Sequence, residues 1–302
     1  MGHMFLFVFP LLADLLGVAS LFISNLQDWI NDKIGTVSGV VIIAILNFVF
    51  LFNIVFIMEK KATKKSNKSK KFLEGYGRLL KNYTDYLTGF ENKCAEISTV
   101  EDLYEETSKC LKTLIDEIGS ILSDATGSKI RVCIKAFPEK YTHRDVTQMK
   151  LMTFCRSDKT LMESARERKD RIEVQKNTDF KLIMLNTYPY FAFNNLKNFE
   201  NETKTEYENS SSKWEKKYNA TIVYPISKCI GTESGKDLFQ VLGFICVDTL
   251  STKAFSAEVG PMCIKFIASL SCILYIFLDK CISYREKIEI NNTNTERECV
   301  SK

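Results

Sequence analysis

Two long apolar runs dominate the first 58 residues of the chain. Residues 4–23 carry one charged side chain and residues 37–58 carry none. A helix of about 20 residues, at 1.5 Å rise per residue, crosses the hydrocarbon core of a bilayer. The pattern therefore predicts a two-helix transmembrane hairpin over 1–58, with a signal peptide as the alternative for the first run.

A third apolar pattern, over residues 72–91, has helical rather than continuous spacing. Its aromatic and apolar positions recur at intervals of four and three: Phe72, Tyr76, Leu79, Tyr83, Tyr86 and Phe90. This a/d-like spacing predicts a helical stalk that either pairs with a second copy of itself or packs against its own domain. The stalk and the Lys-rich segment before it form the predicted region 59–94.

Residues 95–280 alternate helix-like and strand-like patterns. Ser98 and Glu101 form a capping-box pattern before a helix that ends near Gly127. Four runs are typical of strands. Residues 177–185 predict a helix that follows a capping sequence, and residues 200–218 predict an exposed loop. The strand-like runs are 130–137, 149–156, 220–227 and 240–250.

The last apolar run, 261–278, predicts a buried helix that closes the domain. A third membrane helix is the alternative, because the run is 18 residues long. The residues after it, 281–302, are predicted to form a polar tail. The predicted fold class is therefore α+β: a transmembrane hairpin, a helical stalk, and a domain in which helices flank a sheet.

The formal net charge of +4 becomes informative once it is divided along the chain. The hairpin carries −2, residues 59–71 carry +6, and residues 72–302 are neutral. Lys and Arg stay on the cytoplasmic side of a membrane, so we expect a multi-pass protein of the cell inner membrane with its N-terminus and C-terminal domain in the cytoplasm. The Lys cluster is also expected to contact anionic lipid headgroups, unless it acts only as a stop-transfer signal; it consists of Lys60, Lys61, Lys64, Lys65, Lys68, Lys70 and Lys71.

Three polar side chains interrupt the predicted membrane helices. Asp14 lies near the middle of the first, and Asn47 and Asn53 lie on the second. Ionisable groups at such depth usually face a bundle interior or water, and amides hydrogen-bond across helices. These residues predict a polar seam, either within one hairpin or lining a pore in an oligomer.

The remaining chemistry argues for reduced thiols and against catalysis. The ten cysteines form no CxxC pair and no cluster with histidine, and most lie inside apolar runs, which is typical of buried, reduced thiols in the cytoplasm. No metal site is therefore predicted. The sequence contains no nucleotide-binding Gly-rich loop, HExxH, GxSxG or kinase motif, so we expect no enzyme, and the neutral 72–302 region predicts no nucleic-acid binding.

The order of predicted elements, with three local motifs, resembles a GAF domain over roughly 95–280. The residues that carry the resemblance are Ala220-Thr221-Ile222-Val223-Tyr224-Pro225-Ile226, then Val241-Leu242-Gly243-Phe244-Ile245-Cys246-Val247-Asp248, then Ala254-Phe255-Ser256. The resemblance implies a central antiparallel sheet with helices on one face and a small-molecule pocket on the other. It also implies dimerisation through the first and last helices.

The same resemblance implies that the middle of the domain covers the pocket. The ligand-binding candidates are Arg156, Phe180, Tyr188, Phe191, Phe193 and Asn194. Plain core packing is the alternative for the aromatic side chains, and a surface ion pair is the alternative for Arg156. The residue set by which some GAF domains bind cyclic nucleotides is not found, so the ligand and any cofactor stay unknown.

Two functions follow as hypotheses. In the first, the protein is a membrane-anchored, non-catalytic sensor of a small molecule, a nucleotide signal being one candidate. Ligand binding would control its homo-oligomerisation and rearrange the hairpins, and this architecture is similar to membrane-disrupting effectors of bacterial anti-phage signalling. In the second, the hairpin only tethers a GAF-like dimer that docks a separate cytosolic enzyme or regulator.

Overall fold

The computed structural model describes Phe56 and residues 70–142, 146–211, 213–233 and 236–300. The chain divides into two compact units, 1–67 and 68–302. The predicted transmembrane helices (Phe56 apart), their polar seam of Asp14, Asn47 and Asn53, and the lysines of the Lys-rich segment up to Lys68 lie outside the described residues. Apart from Phe56, every described residue belongs to the second unit.

The second unit has an α+β fold with a six-stranded antiparallel sheet and three long helices on one face of it. Helix α1 covers residues 70–94 and α2 covers Val100–Thr126. The strands are β1 Arg131–Thr142, β2 Lys150–Arg156, β3 Arg171–Glu173, β4 Phe191–Phe193, β5 Ala220–Glu233 and β6 Lys236–Thr249. They are arranged in the order β3-β2-β1-β6-β5-β4. The predicted strand pairs, 130–137 with 149–156 and 220–227 with 240–250, are confirmed.

Short helices connect β2 to β5 across one face of the sheet. They are α3 Leu161–Glu167, α4 Thr178–Met184 and α5 Phe199–Thr203, with single 3₁₀ turns between them. The predicted helix over 177–185 is α4. The prediction of an exposed loop over 200–218 is wrong in part, because Tyr207 is buried and its ring packs against Phe199 and Trp214.

The sheet separates two hydrophobic cores. Successive side chains of a strand point to opposite faces, and β1 follows this rule: Val132, Ile134 and Ala136 belong to the first core, and Cys133 and Phe137 to the second. The first core lies between the sheet and α1, α2 and the C-terminal helix. The second lies under the connecting segment between β2 and β5.

The C-terminal helix α6, Gly260–Val300, closes the first core. Within the described part of the chain, its portion Gly260–Thr293 is the one helix long and apolar enough to cross a membrane. Half of its apolar window is buried, with Phe266, Leu270 and Leu274 inside the first core, so α6 is a core helix of this unit. The predicted boundary at 281 falls within it, and Ile288 is still buried.

The predicted stalk, α1, packs against its own domain. The Phe72 ring lies 5.0 Å from that of Phe266, and the Phe90 ring 5.5 Å from that of Phe277. The side-chain amine of Lys93 adds an ion pair with Glu106 of α2, at 2.6 Å. The a/d positions were predicted to pack either against a second copy or against their own domain, and in this structure they pack against their own domain.

Helix α2 begins one residue later than its capping pattern predicted. Its N-cap is Thr99, whose hydroxyl accepts a hydrogen bond from the Asp102 backbone N–H at 3.2 Å. The capping box of Ser98 and Glu101 is therefore wrong, since a neighbouring Thr-x-x-Asp offers the same chemistry. The helix ends at Gly127, whose φ of 69° is the left-handed conformation of a helix C-cap.

Candidate functional site

A cavity of about 260 Å³ lies on the second-core face of the sheet. Strands β1, β2 and β6, the start of α4, residues 209–211 and residues 217–218 surround it. Its lining is unusually charged for a sheet face. The cations are Lys135, Arg156 and Lys217, and the carboxylates are Glu167, Asp170, Asp179 and Asp248.

The strand register brings the sheet residues of this cavity together. Cys133 of β1 lies opposite Cys246 of β6. Lys135 and Asp248 each lie two residues further along their own strand and face the same cavity, and because the strands are antiparallel they lie on either side of this cysteine pair. Asp248 pairs with Thr221 of β5, whose hydroxyl donates a hydrogen bond to Asp248 Oδ1 at 2.7 Å. Side-chain alternation therefore directs these groups into one cavity.

A β-bulge in β2 brings Arg156 to the same face. Ile134 pairs with Cys155, whereas the next residue, Lys135, pairs with Thr153, so β2 contains one extra residue, Phe154. Phe154 and Cys155 both belong to the first core, and Thr153 and Arg156 both line the cavity. Without the bulge, residues 153 and 156 would point to opposite faces, and bulges are known to re-aim side chains in this way.

Asp179 reaches the cavity from the first turn of α4. Its Oδ1 accepts a hydrogen bond from the Phe180 backbone N–H at 2.8 Å, and its Oδ2 accepts one from the Tyr207 hydroxyl at 3.2 Å. Burial raises the pKa of Asp179 to about 6, against the opposing effect of Lys135. Burial also raises the pKa of Asp248, although the hydrogen bond from Thr221 opposes it.

The two cations that face these carboxylates are held by other groups. Arg156 Nε donates to Asp158 Oδ1 at 3.2 Å, and its Nη1 lies 3.9 Å from Glu167 Oε2. Burial works to lower the pKa of Arg156, but nearby Cys133, Asp158 and Glu167 raise it above its usual value, so the guanidinium stays charged. Lys135 Nζ lies 4.9 Å from the centre of the Phe180 ring, a cation–π contact.

The structure places the six sequence-predicted ligand residues in four environments. Arg156 and Phe180 line the cavity. Phe191 and Phe193 pack within the second core, each with its ring against that of Phe199. Tyr188 is 46% exposed and lies outside the cavity lining.

Asn194, the sixth predicted residue, serves as a backbone clamp. Its Oδ1 accepts a hydrogen bond from the Phe255 N–H at 3.0 Å, and its side-chain amide donates to the Phe255 carbonyl. These bonds fix the segment after β4 to the turn that precedes α6. Phe255 belongs to the motif Ala254-Phe255-Ser256, so this contact joins that motif to the predicted ligand residue Asn194.

Sequence reasoning missed the charged residues at the centre of the cavity. Lys135 and Asp248 are charged residues inside otherwise apolar strands, and this was the available signal. Asp179 follows the Asn177–Thr178 start of α4, where a capping role is the simpler interpretation. The polar contribution of Ser210 and Ser211 had no signal, because it depends on how the 200–218 segment folds over the sheet.

A second, larger groove of about 840 Å³ runs between the β5–β6 hairpin and the outer face of α6. Phe239, Tyr275, Ile276 and Tyr284 line it together with four charged residues, Lys228, Asp279, Lys280 and Lys287. Lys287 Nζ lies 5.2 Å from the centre of the Tyr284 ring. This groove is more apolar than the cavity and contains no comparable cluster of buried charges among its described residues.

Comparison with known proteins yields a distant structural similarity only. No protein-family model matches the chain, and no curated protein matches it. A GAF domain from an Acinetobacter phosphoenolpyruvate-protein phosphotransferase is similar, with a TM-score of 0.35, 12% identity, and coverage of 67% of this chain and 95% of that one. One from the corresponding Coxiella burnetii protein gives a TM-score of 0.35, 12% identity, and 66% and 96% coverage.

Replacing Asp179 with asparagine should change how stability depends on pH. The raised pKa means that the folded protein binds more protons than the unfolded chain between about pH 4 and 6, so wild-type stability falls as pH rises through this window. We expect Asp179→Asn to be more favourable to stability at pH 7.5 than at pH 4, by on the order of 1–3 kcal/mol. Chemical denaturation of the full chain in detergent micelles at both pH values measures this.

The exposed Asp85 provides the control, because Asp85→Asn removes a carboxylate from the outer surface of α1. Because this side chain is exposed, the substitution should change the free energy of unfolding by less than about 0.5 kcal/mol. An equal effect of Asp179→Asn at pH 4 and pH 7.5 would contradict the raised pKa.

Proposed function

We propose that this chain is a membrane-anchored, non-catalytic sensor that binds a small molecule in the cavity beside Asp179 and Asp248. The observation that carries the proposal is the combination of an open cavity with charged side chains on its floor. Asp179 is 4% exposed and Asp248 is 9% exposed, and neither is joined by an ion pair to a cation of the cavity lining.

Asp179 and Asp248 accept hydrogen bonds but contact no cation, and burial still raises the pKa of both carboxylates. Transfer of a charged group out of water costs free energy unless an opposite charge or hydrogen bonds compensate it. A ligand that supplies those partners would therefore bind with a gain in stability of the folded domain, by mass action. The distantly GAF-like fold is consistent with such a role.

The sheet offers a direct route from the cavity to the helices. Cys133 and Lys135 face the cavity, while Val132 and Ile134 pack in the first core with α1 and α6. A ligand-dependent shift of β1 would therefore change the packing of α6 and, through Phe277, that of α1. Helix α1 is continuous in sequence with the Lys-rich segment and the predicted hairpin.

We extend the proposal to the membrane from the sequence pattern. The ligand controls homo-oligomerisation, and the hairpins respond through the seam of Asp14, Asn47 and Asn53 in the cell inner membrane, with the Lys-rich segment against anionic lipid. Membrane disruption in response to phage infection is the biological setting that this architecture favours, with a nucleotide as one candidate signal. The simple adaptor remains the competing model.

Native mass spectrometry of the full chain, purified in detergent, tests ligand binding and oligomer number together. We expect wild-type protein to carry an additional bound mass and to change oligomer number with it. Arg156→Gln should reduce the bound fraction at least tenfold, whereas Glu202→Gln, an exposed change on α5, should leave it unaltered. Absence of bound mass in wild type after incubation with small-molecule extract from phage-infected cells would refute the sensor.

The role of the hairpin needs a separate experiment. Cells expressing the wild-type chain should depolarise on phage infection, and Asp14→Ala should change this response. Replacing residues 1–58 with an unrelated two-helix anchor should abolish it. Full retention of function after that replacement would favour the adaptor, in which the hairpin only tethers the domain.

A further inference from the structure

We infer that the cavity selects a small zwitterion, a molecule of amino-acid size with one anionic group and one ammonium group. This inference rests on the proposed function, since it names the ligand class of the same cavity. Three observations carry it: the mixed sign of the lining, the positions of the charges, and the volume.

Both signs of charge line the cavity in similar number. Lys135, Arg156 and Lys217 face it together with four carboxylates. A purely anionic ligand would meet the field of Asp179 and Asp248, and a purely cationic ligand would meet that of Lys135 and Arg156. Electrostatic complementarity therefore favours a ligand that carries both charges.

Apart from the pair of Arg156 and Glu167, whose Nη1 and Oε2 lie 3.9 Å apart, the opposite charges of the lining face one another without direct contact. Lys135 influences the pKa of both Asp179 and Asp248, and Arg156 influences that of Asp248, yet no ion pair within 4.0 Å joins these groups, all of which belong to the described residues. A ligand fills the gap between a guanidinium and a carboxylate favourably if its anionic group lies at the guanidinium and its ammonium group lies at the carboxylate.

Each end of this gap has a group suited to one end of the ligand. The Arg156 guanidinium presents a planar fork that binds carboxylates in a bidentate manner. Asp248 accepts the Thr221 hydroxyl at Oδ1 only, so that Oδ2 has no hydrogen bond from the described residues and is available to an ammonium group. Both oxygens of Asp179 are already occupied, so its role is electrostatic.

The volume suits a ligand of about ten non-hydrogen atoms. A cavity of about 260 Å³ corresponds to roughly nine water molecules at about 30 Å³ each. It is below the usual range of about 300–1,000 Å³ for pockets that hold drug-sized ligands. An amino acid fits this space, whereas a nucleotide with base, sugar and phosphate needs about twice as much.

Calorimetric titration of the full chain in detergent micelles tests the ligand class directly. The probes are the twenty L-amino acids, followed for each binder by its deaminated acid and its decarboxylated amine. We expect at least one amino acid to bind, and each of the two analogues to bind at least tenfold more weakly, because each leaves a buried charge of the protein unpaired.

Two substitutions assign the ends of the ligand. Arg156→Gln should weaken the parent amino acid at least tenfold while changing affinity for the decarboxylated amine little. Asp248→Asn should do the reverse, weakening the parent but changing affinity for the deaminated acid little. Glu202→Gln should alter none of these affinities. Thermal unfolding without ligand shows whether each variant is folded.

The outcomes separate this inference from the proposed function. If adenosine monophosphate or a cyclic dinucleotide binds and is weakened by Arg156→Gln, while no amino acid binds, the sensor survives and the zwitterion is refuted. If native mass spectrometry finds a bound molecule, tandem fragmentation shows whether it has both an acidic and a basic group, and a molecule lacking either refutes the inference. If nothing binds, both fail.

Discussion

Replacement of Gly243 with alanine should lower the free energy of unfolding by about 3 kcal/mol or more. A Cβ atom at this position would lie 2.2 Å from the Lys135 carbonyl oxygen and 2.8 Å from the Ala136 Cα. Both obstacles are backbone atoms of the neighbouring strand, so no side-chain rotation relieves the contact. Overpacking of a rigid core costs about 1–3 kcal/mol, and a backbone clash lies at the upper end.

The location of Gly243 explains why the backbones approach so closely. It pairs with Ala136 of β1 and Ile226 of β5, and the register shifts immediately after both partners. A glycine within a strand is typical of a bulge or a close backbone approach. The substitution therefore acts at the centre of the sheet, where β1, β5 and β6 meet beside the cavity.

Gly77→Ala is a matched control for this experiment. Gly77 lies on the exposed side of α1, and nothing would lie within 4 Å of an added Cβ. Alanine in a helix is favoured over glycine by about 0.5–1 kcal/mol, so stability should rise. Chemical denaturation in micelles, followed by Trp214 fluorescence in a Trp29→Phe background, compares the two variants. Near-equal stabilities would contradict the predicted clash.

Truncation of Phe277 to alanine should loosen α1 from the domain. The side chain is 1% exposed, and its ring centre lies 5.9 Å from that of Tyr83 and 5.5 Å from that of Phe90. Loss of a buried phenylalanine costs about 3–5 kcal/mol. Because two of its ring contacts are with α1, we expect residues 70–94 to lose hydrogen-exchange protection more than β1 and β6 do.

Ile276→Ala, at the adjacent position of α6, is the control. Ile276 is 39% exposed and lines the outer groove rather than the α1 contact, so its truncation should cost less than about 1 kcal/mol. Hydrogen exchange with mass spectrometry measures both variants. Unchanged protection of residues 70–94 in Phe277→Ala would show that α1 is held by other contacts.

The regular parts of this domain follow from local patterns in the sequence. Val132, Ile134 and Ala136 alternate with Cys133 and Lys135, and this periodicity alone predicts a strand with two distinct faces. The a/d positions of α1 are also evident, although the pattern cannot tell a second copy from α6 as the surface they pack against. That choice depends on the tertiary position of aromatic residues of α6, which lie far along the chain from α1.

The cavity is less accessible to such reasoning, because it depends on irregularities. Strict alternation places Thr153 and Arg156 on opposite faces of β2, and only the extra residue at Phe154 brings them together. Asp179 meets Tyr207 through a segment whose polar composition predicts an exposed loop. The family resemblance indicated Arg156 and Phe180 as candidate ligand residues. The carboxylates that face Arg156 across the cavity, Asp179 and Asp248, come together only through the three-dimensional arrangement of several elements.

The alternation along β1 and β6 also has a consequence for how this molecule can evolve. Odd-numbered positions of β1, such as 133 and 135, face the cavity, and even-numbered positions beside them belong to the first core, where β1 contacts α2 and α6. Mutations at the cavity-facing, odd-numbered positions can therefore change the chemistry of the cavity without changing the residues that hold the helices. Under the proposed sensor function, we expect relatives of this protein to differ in ligand preference at the cavity-facing positions while keeping the core positions that hold the helices.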